Sequence, residues 1–259
     1  MPPRLFVDHP LSPGLAFSLP SGAARHVQVL RLQPGAALTL FDGTGGEWRA
    51  SVTQMGRSEV QVRLDAHDAV ERELPLSVTL VLGMPANERM DTLVEKATEL
   101  GVAAVQPLVC QRSVLRLSGE RAQKKVAHWQ AVAVSACEQS GRTRVPRIEP
   151  VLAFDDWLVR RSVSAAPNAS AAPNATLLVV LSFAGAPLTG SLADAGPGGL
   201  LCLSGPEGGL TEGEEAQALA AGFAPVWLGP RVLRADTAPL ALLAHLALSM
   251  ATRLQRDPR

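Results

Sequence analysis

Two glycine-rich turns in this chain have the residue types needed to hold a ligand against main chain. The first, Gly205-Pro206-Glu207-Gly208-Gly209, follows the apolar run Leu200 to Ser204; the second, Gly229-Pro230, follows a shorter run, Pro225 to Leu228. Glycine has no Cβ to keep a ligand off the backbone, and it accepts the positive φ that a reversing chain requires. Neither turn has the G-x-x-x-x-G-K-[ST] phosphate cradle or the G-x-G-x-x-G dinucleotide spacing. The one charged residue, Glu207, would repel a phosphate and suits a cationic or hydroxyl-bearing ligand. A tight strand-to-helix connection holding nothing is the alternative. Two such turns at the ends of neighbouring strands would instead form one crevice at the carboxyl edge of a sheet.

A second group is cationic. The chain as a whole is neutral, with 24 basic and 24 acidic residues. Between Cys110 and Arg147, however, Arg112, Arg116, Arg121, Lys124, Lys125, Arg142, Arg144 and Arg147 face only Glu120 and Glu138, a local excess of six positive charges. A solvated helix face accounts for part of such a run. The arginines beyond the helix fit a basic surface for RNA, provided the acidic residues lie elsewhere.

These groups need elements to position them. Leu200 to Ser204 reads as a strand buried on both faces, and Thr211 with Glu214 has the spacing of a capping box, which starts a helix and aims its free N–H groups back at the loop. Around it the order is strand, helix, strand, helix: Leu76 to Gly83, Arg89 to Leu100, Val102 to Leu108, Gly119 to Gln139 and Thr176 to Phe183. That order predicts a largely parallel α/β sheet. Residues before it differ. Leu5 to Val7, Ala37 to Phe41, Glu47 to Gln54 and Ser58 to Leu64 are short strand patterns with turn residues between them and one helix, Ser21 to Leu32, which together read as a small β-barrel. The boundary falls near residue 72, giving domains 1–72 and 73–259.

At 259 residues and 47% hydrophobic composition the chain can bury a substantial core. Its longest apolar helix, Ala238 to Ala251, is too short to cross a bilayer, and MPPRLFVDHP lacks a secretory h-region, so the expected location is cytoplasmic. Cys110, Cys137 and Cys202 have no metal-type spacing and read as reduced, buried thiols. The tandem SAAPNA from Ser164 to Ala175 is too poor in apolar bulk to order itself and is expected to be a surface loop without a catalytic part.

Taken together, EKATELGV (Glu95 to Val102), QRSV (Gln111 to Val114), ACEQSGRTRVPRI (Ala136 to Ile148), GPEGGLT and LGPRVLR resemble the bacterial 16S ribosomal RNA uracil N3-methyltransferases of the SPOUT class. HVQVLRL (His26 to Leu32) and LFDGTGGE (Leu40 to Glu47) resemble that family's N-terminal domain, so the similarity spans the chain. It implies a PUA-like β-barrel followed by a trefoil-knotted α/β domain, a homodimer, and S-adenosylmethionine bound in the knot. Carried onto this sequence, the cofactor contacts are Leu181, Gly205, Glu207, Gly208, Leu228, Gly229, Val232 and Leu233. Dimerisation would use the apolar helix from about Ala238 to Leu254. The chain departs from the family at Ala86-Asn87, where a Lys-Gly pair is common, and at Asp236-Thr237, where glutamate is usual.

The implied reaction is an in-line displacement at a sulfonium methyl, helped by geometry and hindered by the imide proton. N3–H ionises roughly two units above neutral pH, so forming the anion costs about 3 kcal/mol. Arg142, Arg144 and Arg112 suit stabilisation of charge on O2 and O4, and Glu138 or Glu207 suits the base. Arg144, beside Pro146, is expected to hold the target base. RNA contacts are expected from the barrel through Arg4, His26, Arg31 and Arg49, with the 30S subunit as the context. Two other readings are open: methylation of a ribose 2′-OH, and a non-enzymatic RNA-binding protein.

Overall fold

A computed structural model describes residues 2–57, 59–86, 88–164, 176–188 and 198–256. Asn87 and residues 165–175, which hold most of the SAAPNA repeat, lie outside the described residues. The chain divides into two compact units, one formed by Met1–Glu73 with Val134–Val145 and the other by Leu74–Ala133 with Pro146–Arg259.

The first unit contains β1 (Arg4–Phe6), β2 (Ala16–Ser18), α1 (Ser21–Val29), β3 (Ala37–Phe41), β4 (Glu47–Met55) and β5 (Val60–Asp68). The strands form one sheet in the order β1-β3-β4-β5-β2, with β1 parallel to β3 and the other pairs antiparallel. Among the described residues β1 and β2 are its edges, so the pairing is a five-stranded sheet where a barrel was expected. Strict alternation along β5, with Val60, Val62 and Leu64 buried and Gln61, Arg63 and Asp65 exposed, sets one face inward. Ala23, Ala24 and Val27 of α1 join Leu5, Leu38, Leu40, Val52 and these β5 residues in one core.

The second unit is an α/β sheet. Its elements are β6 (Val78–Gly83), α2 (Glu88–Glu99), β7 (Ala104–Val109), α3 (Gly119–Ser140), β8 (Arg147–Ile148), β9 (Leu152–Ala153), α4 (Phe154–Ser164), β10 (Leu177–Pro187), β11 (Leu200–Ser204), α5 (Glu212–Ala220), β12 (Ala224–Trp227) and α6 (Thr237–Arg256). The last residues of α3 belong to the first unit. Strand order is β12-β10-β11-β6-β7-β8, with β9 also on β7, and every pair is parallel. Neighbouring residues of a strand enter different cores. Leu80, Val179 and Cys202 pack with Met90 and Leu93 of α2, Trp129 of α3 and Leu242 of α6. Val81, Val180 and Leu203 pack with Phe154 and Trp157 of α4 and Ala218 of α5. Two buried faces explain why β6 and β11 are continuous apolar runs.

One polar group inside this packing must be satisfied. Trp129 is fully buried, and its indole N–H donates to Asp91 Oδ1 at 2.8 Å, joining α3 to α2. All three cysteines are buried and free.

Candidate functional site

The carboxyl half of β10 and the loops that follow β11 and β12 surround a cavity of about 710 Å³. Leu181 and Phe183 come from the strand, Gly205 to Leu210 from the first loop, and Leu228, Gly229 and Arg231 to Ala235 from the second. All eight residues carried over as cofactor contacts line it: Leu181, Gly205, Glu207, Gly208, Leu228, Gly229, Val232 and Leu233. Glycine at 205 is required by close approach, since a Cβ there would sit 2.6 Å from Leu210 N. The turn is folded back on itself at that point. Glu207 is already partly engaged, because its Oε1 accepts from the Ala86 N–H at 2.8 Å, which leaves the other oxygen for a ligand.

The helix behind the second loop begins as its sequence predicts. Thr211 caps α5, its hydroxyl accepting from Glu214 N while the Glu214 carboxylate accepts from Thr211 N at 2.8 Å. Glu214 is 1% exposed and does a further job: its Oε1 accepts from Gln111 N at 2.8 Å. With these bonds it ties the Gln111 loop to the start of α5. Arg112, next in sequence, lines the cavity and donates to the Gly208 and Leu210 carbonyls at 3.0 and 3.2 Å. Nearby, Asp236 Oδ1 is buried with no hydrogen-bond partner among the described residues, at a position where glutamate would reach further.

The other catalytic candidates, Arg142, Arg144 and Glu138, belong to the first unit, whereas Arg112 belongs to the second. Arg142 is buried, and its Nε donates to both oxygens of Glu73, at 2.9 Å to Oε2. Its charge is already compensated. Arg144 is exposed; its Nε donates to Glu71 at 3.0 Å and its backbone bridges to Thr44. Its guanidinium lies over Gly45, where a Cβ would come within 2.6 Å of Nη2, so that glycine is required to seat the arginine. Glu138 accepts from Phe6 N at 2.9 Å. Burial pushes its carboxyl above the ordinary range, against the opposing Phe6 N–H and the charges of His26 and Arg4.

The RNA candidates divide by accessibility. Arg4 pairs with Glu47 and donates to the Arg142 carbonyl at 2.9 Å, so its side chain is largely buried and spent on the unit's own structure. Burial raises the Glu47 carboxyl, but hydrogen bonds from Arg72 and Arg4 outweigh it and the net direction is downward. His26, Arg31 and Arg49 are exposed. The cysteines offer no chemistry, since burial pushes the Cys110 and Cys137 thiols up to about 12 and Cys202 further.

Sequence reasoning passed over Arg89, Phe183, Arg231 and Arg234, all of which line the cavity. Two of these arginines stand inside the LGPRVLR motif, so their position was visible although their destination was not.

Comparison with known proteins adds the following. A family model described as an RNA methyltransferase domain matches residues 72–247, and one described as an RNA methyltransferase PUA domain matches residues 19–65. The Bacillus subtilis ribosomal RNA small subunit methyltransferase E is 32% identical over 93% of this chain and 92% of its own. The Synechocystis protein of the same name is 34% identical over 85% of this chain and 68% of its own. The crystal structure of ribosomal RNA small subunit methyltransferase E from Neisseria gonorrhoeae, bound to S-adenosylmethionine, superimposes with a TM-score of 0.85 at 35% identity, covering 96% of this chain and 98% of that one. A putative methyltransferase from Legionella pneumophila, also holding S-adenosylmethionine, gives 0.84 at 31% identity with the same coverage.

Proposed function

Because the chain belongs to the ribosomal RNA small subunit methyltransferase E family, we propose that it methylates N3 of a uridine in 16S rRNA. It is an S-adenosylmethionine-dependent rRNA methyltransferase with an N-terminal PUA-like domain. The observation that carries the reading is one cavity built from β10 and the loops after β11 and β12, with all eight expected contact residues on its wall.

The residues fit the cofactor. A cavity of about 710 Å³ lies within the range used by small-molecule sites. Half-buried Leu181, Leu228 and Leu233 supply apolar faces for an adenine, and the Gly205 turn brings main-chain groups to its edge. The free oxygen of Glu207 is placed for a ribose hydroxyl or for positive charge. When bound, the cofactor supplies an electrophilic methyl group on a sulfonium.

For the uridine, the chain must stabilise an anion spread over N3, O2 and O4. Arg144 retains exposed donors for that task, with Arg142, locked to Glu73, fixing the backbone that carries it. Glu138, with its raised carboxyl, is our candidate for the base that takes the proton. Incubating the chain with 30S subunits and cofactor, digesting the RNA and identifying the product by mass spectrometry tests the reading. N3-methyluridine is the expected nucleoside; a 2′-O-methylated one overturns the assignment.

The finer expectations rest on this reading. A trefoil knot accords with a sheet in which β11 lies between β10 and β6. Pulling the chain from its ends tests it, since a knotted chain stops short of about 3.3–3.6 Å per residue. A homodimer through α6 accords with Leu248, which is 72% exposed on a helix rich in leucine and alanine. Leu248→Asp should convert a dimer to a monomer by light scattering; a wild type that is monomeric at micromolar concentration refutes it. Action on 30S subunits in the cytoplasm completes the proposal.

A further inference from the structure

The cavity carries more positive charge than its cofactor can use. Arg89, Arg112, Arg231 and Arg234 line it, against Glu207 and Glu215. Glu207 is engaged by Ala86 N–H and Glu215 by the Ser182 hydroxyl, and neither pairs with a lining arginine. Arg112 is committed to two carbonyls of the Gly208 loop. Arg89, Arg231 and Arg234 have no ion pair among the described residues; Arg231 and Arg234 are exposed and Arg89 is half-buried. Three guanidinium groups lining one cavity repel one another unless an anion joins them. S-adenosylmethionine brings one carboxylate together with an ammonium and a sulfonium, so it neutralises one arginine at most.

Beside these arginines stands an aromatic ring with no ring partner among the described residues. Phe183, in the carboxyl half of β10, is 66% exposed, while the other five phenylalanines are buried or half-buried. Val232, at 83% exposure, belongs to the same lining. Unpaired arginines and an exposed aromatic ring at one opening form the combination that binds single-stranded nucleic acid: cations track the phosphates and a ring stacks on a base. A base undergoing chemistry must leave its stack to reach the methyl donor, so single-stranded RNA is what that opening would receive.

We propose that the mouth of the cofactor cavity is itself an RNA-binding site, in which Arg89, Arg231 and Arg234 take backbone phosphates flanking the target nucleotide and Phe183 stacks on a base. The proposal deepens the methyltransferase reading and rests on it. RNA recognition then extends beyond the PUA-like unit to the unit that holds the cofactor. Arg89, two residues after Asn87, supplies the cation that Ala86-Asn87 lacks relative to the family pattern.

The test uses the full chain, a single-stranded RNA oligonucleotide of 16S sequence centred on the uridine, and S-adenosylmethionine measured separately by calorimetry. In the Arg89→Gln, Arg231→Gln and Arg234→Gln variants the slope of log affinity against log salt should fall by about 0.7 per arginine, with cofactor affinity within about twofold of wild type. Phe183→Leu should weaken RNA binding by roughly five- to a hundredfold. Unchanged slope and RNA affinity overturn the proposal. Lost cofactor affinity with intact RNA binding assigns the arginines to the cofactor carboxylate and also overturns it. Should a variant fail to fold, photocrosslinking of the 4-thiouridine-substituted oligonucleotide to wild-type protein decides: adducts on peptides spanning 182–188 or 229–235 support the site, and adducts confined to residues 1–73 refute it. Methylation at another atom would refute the uridine N3 reading and leave the slope result standing.

Discussion

Arg142 and Arg144 are separated by one residue and have opposite environments. Arg142 is buried against Glu73, and removing either partner of such a pair leaves a charge without compensation, at a cost of about 3–5 kcal/mol. Arg144 is half exposed, so its substitution costs little stability and isolates function. Arg144→Ala should lower kcat on 30S subunits by about 10²-fold, the scale of removing one donor to a developing anion, with RNA affinity changed far less. Full turnover by that variant would end the assignment. Glu138 makes a separate, pH-dependent prediction. Its folded carboxyl titrates above the unfolded one, so the stability it contributes is fully present below the unfolded pKa and is lost as pH rises through the folded value. Glu138→Gln keeps an acceptor for Phe6 N–H and removes the ionisation. The variant should resist urea better than wild type at pH 7, and the gap should close as pH falls below the ordinary carboxylate range. A gap that widens on acidification contradicts the burial argument.

At the scale of elements, the N-terminus of α5 shows what is local and what is not. Its capping box is a contact between residues three apart, so spacing alone reveals it, and Thr211→Ala should cost about 1 kcal/mol. The bond from Gln111 N to Glu214 spans 103 positions, and no periodicity reports it. Glu214→Ala removes an acceptor from both Gln111 N and Thr211 N, each worth about 1–3 kcal/mol when left buried and unpaired. It should therefore destabilise more than Thr211→Ala in urea titrations, and it alone should weaken cofactor binding by releasing the loop that carries Arg112. Equal effects on both quantities would show that the Gln111 bond carries no weight. The same distinction governs the rest of the fold. Buried apolar runs and helix faces were readable because their pattern is repeated along the chain, whereas β8 and β9 have two residues each and present no pattern at all. β2 and α4 were passed over as well, and the joining of Val134–Val145 to the first unit depends on Glu73 and Arg4, which are distant in sequence. For the cavity, motif residues were visible and their convergence with Phe183 and Arg89 was not, since convergence is a property of the sheet order.

Over the whole molecule, net neutrality hides a sorting of cations into those spent internally and those left for a ligand. Removing residues 1–70 would also disturb residues 134–145, because it would strip Phe6 N from Glu138 and Arg4 from the Arg142 carbonyl. A point substitution separates RNA binding from cofactor binding better, and Arg31 is the informative one. Among the described residues it is the one non-glycine residue with positive φ, at 54°, immediately after the helix-ending Leu30, where glycine is the unstrained choice. An L-residue there costs about 1–2 kcal/mol. A strained, exposed cation is retained for what its side chain does. Arg31→Gly should therefore raise stability by about 1 kcal/mol while weakening RNA binding and reducing its salt slope, with cofactor affinity unchanged. Arg49→Gln, at an unstrained exposed strand position, should weaken RNA binding without the gain in stability. If Arg31→Gly became more stable and bound RNA as tightly as before, the strain would serve no recognition, and the exposed cations of the first unit would have to be reassigned.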